Sequence, residues 1–311
     1  HDGDLFNRWD ALQRYASAVL LEGVAAHQQG KPFTLDAGLK DAIAAILADA
    51  KRDPAFAAEA LVLPMESLLA DDMEVVDPDA IHAVRQAARK ALGSALKAEF
   101  QATYDGFATA APEDVSGPAM AARALRNAAL GYLTAAGESG PAATQFAQAG
   151  NMTERLAALA CLVDTQGAAR DQALEAFFAE WHSTPLVLDK WFAVQARSNA
   201  PDTLARVQKL AEHKAMDLRN PNRVRALIGA FTGNPAVFHD ASGAGYKLLA
   251  DFVLRLDETN PQIAARLVTA LGHWRRFDAA RQGLMQAELE RILAREHLSP
   301  NTYELASKAL A

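Results

Sequence analysis

The sequence predicts an all-α protein, an irregular α-solenoid of HEAT-like helix pairs. Three observations carry this. Half of the 311 residues are hydrophobic, and they are mostly Ala and Leu, which enter helices at little cost. Stretches of alternating β-branched or aromatic residues, the mark of strands, are hard to find. Asp53-Pro54, Asp77-Pro78, Thr184-Pro185, Asn220-Pro221, Asn234-Pro235, Asn260-Pro261 and Ser299-Pro300 each pair a capping side chain with a following proline. Such a pair reads as a helix start, because proline at the first helical position needs no amide hydrogen. Asn220 and Asn260 lie 40 residues apart, the length of one HEAT-like unit. A compact bundle is the alternative architecture. A solenoid would leave a concave face suited to binding.

In chain order, Asp2 and Asp4 suit the positive N-terminal end of the first helix. Leu5, Trp9, Leu12, Tyr15 and Val19 form its apolar stripe, which runs on to Leu20 and Val24. Gly30 stops this helix and Pro32 begins the connection. Asp36 to Ala50 forms the next helix. Asp53-Pro54 starts another, which Leu63-Pro64 interrupts. Asp77-Pro78 opens a longer helix reaching about Tyr104. Residues 109–118, rich in Ala, Pro, Ser and Gly, are the candidate loop or hinge within a single 1–311 domain. Helices resume over Met120 to Ala135 and Pro141 to Ala149. Asn151-Met152-Thr153-Glu154 has the spacing of a capping box, with Leu156, Leu159 and Leu162 behind it. Asp171 to Trp181 comes next. Trp181 and Trp191 read as core anchors between neighbouring helices.

Asn220-Pro221-Asn222-Arg223-Val224-Arg225-Ala226-Leu227-Ile228-Gly229-Ala230-Phe231 is the front end of a further helix. Asn220 caps it, while Leu227, Ile228 and Phe231 recur at the spacing of a buried face. Gly233 stands where a left-handed C-cap would close it. Arg219, Arg223 and Arg225 read most simply as solvated surface charges.

The formal net charge of −7 argues against a nucleic-acid partner, which needs a cationic face. No apolar run reaches membrane-spanning length, and no signal peptide is recognised. Cys161 has no partner for an internal disulfide and sits in an apolar helical stripe, as a packed thiol would. A monomeric cytoplasmic protein is expected. The opening His1 already has the look of structured protein, as in a fragment of something longer. His1, His27, His82, His182, His213, His239, His273 and His297 show no metal-ligand spacing. Nucleophile elbows, phosphate loops and dinucleotide fingerprints are equally lacking. By its own residues the chain offers no catalytic site, no metal ligands and no cofactor.

The Asn220–Phe231 stretch strongly resembles a segment near the C-terminus of the bacterial aminopeptidase N family of zinc metallopeptidases. His1-Asp2-Gly3-Asp4-Leu5-Phe6-Asn7-Arg8-Trp9-Asp10-Ala11 resembles the entry to that family's last domain. Asn151-Met152-Thr153, Asp189-Lys190-Trp191-Phe192, Asn260-Pro261-Gln262 and Tyr303-Glu304 match in the same order. The resemblance implies a four-domain aminopeptidase of which this is the fourth, non-catalytic domain. It implies a helical superhelix that caps the catalytic domain and lines the chamber through which peptides reach the zinc. The zinc is expected in the missing catalytic domain. The resemblance also implies that Arg225, Gln262 and Arg266 face that chamber and contact substrate. The expected partners are the remaining domains of the same enzyme and peptide substrates. An independent solenoid scaffold for protein partners is the alternative.

Overall fold

All seven capped prolines open helices in the computed structural model, which describes residues 3–108 and 111–311. At Asp53, Asn220, Asn260 and Ser299 the side chain before the proline accepts an amide hydrogen from the first turn, satisfying a donor the helix itself cannot. In order, the helices are α1 Leu5–Gln28, α2 Ala37–Asp49, α3 Pro54–Ala60, α4 Glu66–Asp71, α5 Pro78–Ala95, α6 Lys97–Gly106, α7 Gly117–Ala135, α8 Gly140–Gln148, α9 Met152–Val163 and α10 Ala168–Trp181. They continue as α11 Pro185–Ala196, α12 Thr203–Ala211 and α13 Pro221–Val224, which passes through a π-turn, Arg225–Gly229, into α14 Ala230–Thr232. The last are α15 Pro235–Phe238, α16 Ala244–Asp257, α17 Pro261–Val268, α18 Ala279–Leu293 and α19 Pro300–Leu310. Among the described residues the extended pairing is limited to one isolated bridge, Val76 to Phe277.

The chain packs as two compact units, His1–Asp72 with Ala80–Ala173, and Met73–Asp79 with Leu174–Ala311. In each, a helix packs chiefly on near neighbours in sequence, as repeats do. In the first, α7 is central and meets α3, α6, α8 and α9. Phe100 stacks on Tyr132 with ring centroids 4.4 Å apart, and the Tyr132 hydroxyl donates to the Leu61 carbonyl at 2.7 Å. Burial pushes that phenol up to about 12. In the second, α16 meets α15, α17 and α18, and α19 closes on α17 and α18. Its core holds Leu227, Ile228, Phe231, Phe238, Tyr246, Leu249, Phe252 and Ile292. Gly245 is required there, since a Cβ would fall 2.3 Å from the Phe238 carbonyl oxygen.

Several local expectations change. Only Ala16, Leu20 and Val24 of α1 are buried. Leu5 and Tyr15 are exposed, and Tyr15 instead donates to Asp36 at 2.6 Å. The helix expected to reach Tyr104 breaks at Leu96 (φ −116°, ψ 31°), just after the weak helix formers Gly93 and Ser94. Gly233 is not left-handed: its φ is −84°, and its amide still donates to the Gly229 carbonyl. The next helix starts at once, so no chain reversal is needed. Gly30, at φ 75°, does adopt the left-handed geometry that stops α1. Asn151 caps α9 as expected, accepting from the Glu154 amide at 3.0 Å. Trp191 is buried, with Nε1 donating to the Leu174 carbonyl at 2.9 Å, whereas Trp181 is half-buried. His1 and Asp2 lie outside the described residues, as do Thr109 and Ala110 of the 109–118 stretch. Beside them, Arg123 Nη2 donates to the Ala111 and Pro112 carbonyls at 3.0 and 3.1 Å.

The second unit also gathers a polar cluster around a buried arginine that no local spacing announces. Arg281, 8% exposed, donates to Asp79 (2.6 Å), Asp278 (2.7 Å) and the His239 carbonyl (2.7 Å). His239 lies against Phe277 and within 3.0 Å of the Tyr246 hydroxyl. Burial first, and the Arg281 charge second, lower its pKa to about 4. An unfolded His titrates near 6.5, so between these values the unfolded chain binds the extra proton. The His239 contribution to stability should therefore be full above about pH 6.5 and fall by about 1.4 kcal/mol per pH unit as pH drops toward 4. Urea melts of wild type and His239→Gln should diverge over this window, with the variant showing the shallower loss. Parallel curves would contradict this assignment.

Candidate functional site

The helix opened by Asn220 carries its two arginines, Arg223 and Arg225, in different environments. Asn220 Oδ1 accepts from the Asn222 and Arg223 amides at 3.0 and 3.4 Å. This sets the face on which each later side chain emerges. Arg223 shares a helical row with the buried Leu227 and Phe231 and accompanies them inward; it is 5% exposed. Its Nε donates to Asp189 Oδ1 on α11 at 2.5 Å, and its Nη1 donates to the Ala215 carbonyl. The guanidinium lies over Phe192, 5.0 Å from the ring centroid. The expectation of three solvated arginines thus fails at Arg223. The signal was present: Leu227 and Phe231 stand four and eight residues on. Asp189, its partner 34 residues away, could not be paired with it by spacing.

The surroundings of this ion pair are aromatic. Trp191 meets Phe192 nearly edge-on at 5.1 Å, and His213 meets Phe178 edge-on at the same distance. The Ala215 amide donates to His213 Nδ1 at 3.2 Å. Burial and the neighbouring Lys214 lower the His213 pKa, favouring the neutral ring that can accept this bond. His213 and Arg223 therefore hold the Ala215 backbone, one at its N–H and the other at its carbonyl.

Arg225 begins the π-turn and is exposed. Its Nη2 donates to Asn222 Oδ1 at 2.5 Å and its Nε to the Pro221 carbonyl at 3.3 Å. Both partners are neutral, so its charge is uncompensated there. π-Turns recur at functional positions in helices. Gln262 and Arg266 stand one turn apart on α17, both exposed, while Ala264, Ala265, Leu267 and Val268 are buried. Neither side chain has a hydrogen bond or ion pair within the described residues, and no hydrogen bond joins either to Arg225. The three residues expected from the resemblance are thus all at the surface of the second unit. The structure pairs Gln262 with Arg266 on one helix and leaves Arg225 on another. Guanidinium forks and an amide of this kind can grip carboxylates and peptide groups. Among the described residues no three His, Cys, Asp or Glu side chains are grouped so as to hold a metal ion. Nor is any helix there long and apolar enough to cross a membrane.

A family model described as a domain of unknown function (DUF3458_C), ARM repeats, matches residues 1–311. The chain belongs to this family. The ARM-repeat description agrees with the helix-on-neighbour packing of each unit. Among curated relatives, aminopeptidase N of Escherichia coli (strain K12) is 42% identical over 320 residues, covering 100% of this chain. Aminopeptidase N of Caulobacter vibrioides is 43% identical over 99% of the chain, and that of Haemophilus influenzae 36% identical over 98%. The chain spans only 36%, 36% and 35% of these relatives' lengths, in their C-terminal part. Among solved structures, Legionella pneumophila aminopeptidase A in complex with aspartic acid is similar at a TM-score of 0.88 and 30% identity. That match covers 99% of this chain and 37% of the other. The DUF3458_C fold of this chain joins two of the motifs behind the resemblance: Asp189-Lys190-Trp191-Phe192 and Asn220–Phe231 meet at the Asp189–Arg223 pair.

Arg223→Ala leaves the largely buried Asp189 carboxylate without its cation and should cost up to about 3–5 kcal/mol of stability. Amide hydrogen exchange over residues 212–219 should accelerate beyond the global change. Loss below about 1 kcal/mol in a urea melt, with unaltered exchange there, would contradict this role.

Proposed function

We propose that this chain is the non-catalytic C-terminal domain, a single helical-repeat domain, of a zinc aminopeptidase that removes N-terminal residues from peptides. The carrying observation is end-to-end similarity to one part of aminopeptidase N, with the rest of those relatives unmatched. The zinc and the groups that cleave the bond then belong to the portion of the enzyme outside this chain. The chain's own contribution is to cap that portion and line the approach to it, in a cytoplasmic, monomeric enzyme.

In this reading Arg225, Gln262 and Arg266 contact the peptide beyond the scissile bond. Arg266 has no partner in its own unit, and Arg225 is braced only by neutral oxygens. Neither arrangement is that of an arginine committed to bracing helices through a carboxylate. Contacts of this kind position substrate, so their loss should appear in KM more than in kcat.

In the full-length enzyme, Arg225→Ala and Arg266→Ala should each raise KM for short peptides by about ten- to a hundredfold. Melting temperature should hardly move. Unchanged KM and peptide preference, with a clear loss of stability, would reject the assignment.

A further inference from the structure

A groove of about 460 Å³ opens on the second unit between residues 216–219 and the C-terminal end of α16. Met216, Leu218 and Leu254 give it apolar walls, and Arg219, Arg255 and Arg295 stand around it. Two of these cations are already answered. Arg255 donates to Glu212 at 3.0 Å, and Arg295 to Glu258 at 2.7 Å. Asp217, the other carboxylate of the groove, accepts from the Arg219 backbone amide at 2.9 Å, which closes the local turn. The Arg219 guanidinium meets no carboxylate and makes no hydrogen bond among the described residues. With Glu212 the carboxylates here match the three cations in number, but the Arg219 guanidinium is the one cation of the groove with no direct partner among the described residues.

The stretch that presents Arg219 is fastened beneath. The Ala215 backbone is held by Arg223 and His213, and the Asp217 turn fixes the next two residues. The groove also reaches Thr259, three residues before Gln262. An unpaired guanidinium on a held backbone, beside an apolar wall, has the chemistry of a carboxylate subsite.

We propose that this groove binds a carboxylate-bearing peptide, with Arg219 on the carboxylate and Met216, Leu218 and Leu254 against a neighbouring apolar side chain. The inference rests on the peptidase reading and narrows it: peptides with an acidic group beyond the cleaved residue are the favoured substrates. That carboxylate is either an Asp or Glu side chain or the peptide's own C-terminus.

The test uses the full-length enzyme and matched peptides. One pair differs by Asp against Asn in an amidated peptide, and the other by a free against an amidated C-terminus in a neutral peptide. Arg219→Ala should raise KM about tenfold for the carboxylate-bearing member of at least one pair. The neutral amidated peptides should change by less than about twofold, and Arg219→Lys should recover part of the loss. The pair that responds identifies the source of the carboxylate. Equal shifts for both members of both pairs, or no shift in any, would overturn the proposal. Arg266→Ala run alongside separates the two claims. If it raises KM while Arg219→Ala does not, the groove fails and the chamber reading stands. If neither variant alters KM for any peptide, both fail.

Discussion

The largely buried Arg223–Asp189 ion pair is the constraint on which the second unit's proposed binding surface depends. Taking two charges out of water is costly, and the cost is offset only when geometry and the remaining donors are satisfied. Here Arg223 places one donor on Asp189, another on the Ala215 carbonyl, and its face over Phe192. The pair therefore ties α11 to two consecutive stretches some thirty residues on, the 212–219 connection and the helix begun by Asn220. Hydrophobic packing alone would tolerate small slips among them. A hydrogen-bonded guanidinium of fixed fork geometry tolerates much less.

The exposed arginines inherit their positions from that buried one. Arg219 lies four residues after Ala215 and four before Arg223. Arg225 starts the π-turn two residues on, where the extra residue per turn shifts the register of the rest of the helix. Leu227, Ile228 and Phe231 nevertheless all reach the core. The interior of this stretch is thus apolar and ionic together, while its surface keeps unsatisfied cations. This division suits the role proposed for the chain, in which it supplies substrate contacts without chemistry of its own.

Much of the fold was legible because helix starts are local. A capping side chain followed by proline acts within one turn, so Asn220, Asn260 and Ser299 could be read from neighbouring residues. Helix ends were less legible. Gly233 could have closed a left-handed cap, but the immediate start of α15 removed the need. Leu96 breaks a helix whose sequence gives only the weak hint of Gly93-Ser94. The site divides in the same way. Exposure of Arg225, Gln262 and Arg266 agrees with their spacing, but pairing is a tertiary property. Asp189 and Arg223 meet across 34 residues, as do Asp79 and Arg281 across 202, and no local pattern reports such meetings.

The most direct measurement is a double-mutant cycle on this pair. Asp189→Asn, Arg223→Gln and the double variant are compared with wild type by urea unfolding. A buried, charge-assisted pair that fixes the 212–219 connection predicts a coupling energy of about 2–3 kcal/mol. Single losses that add within about 0.5 kcal/mol would show that the two residues act independently, contradicting the central role given to their pairing.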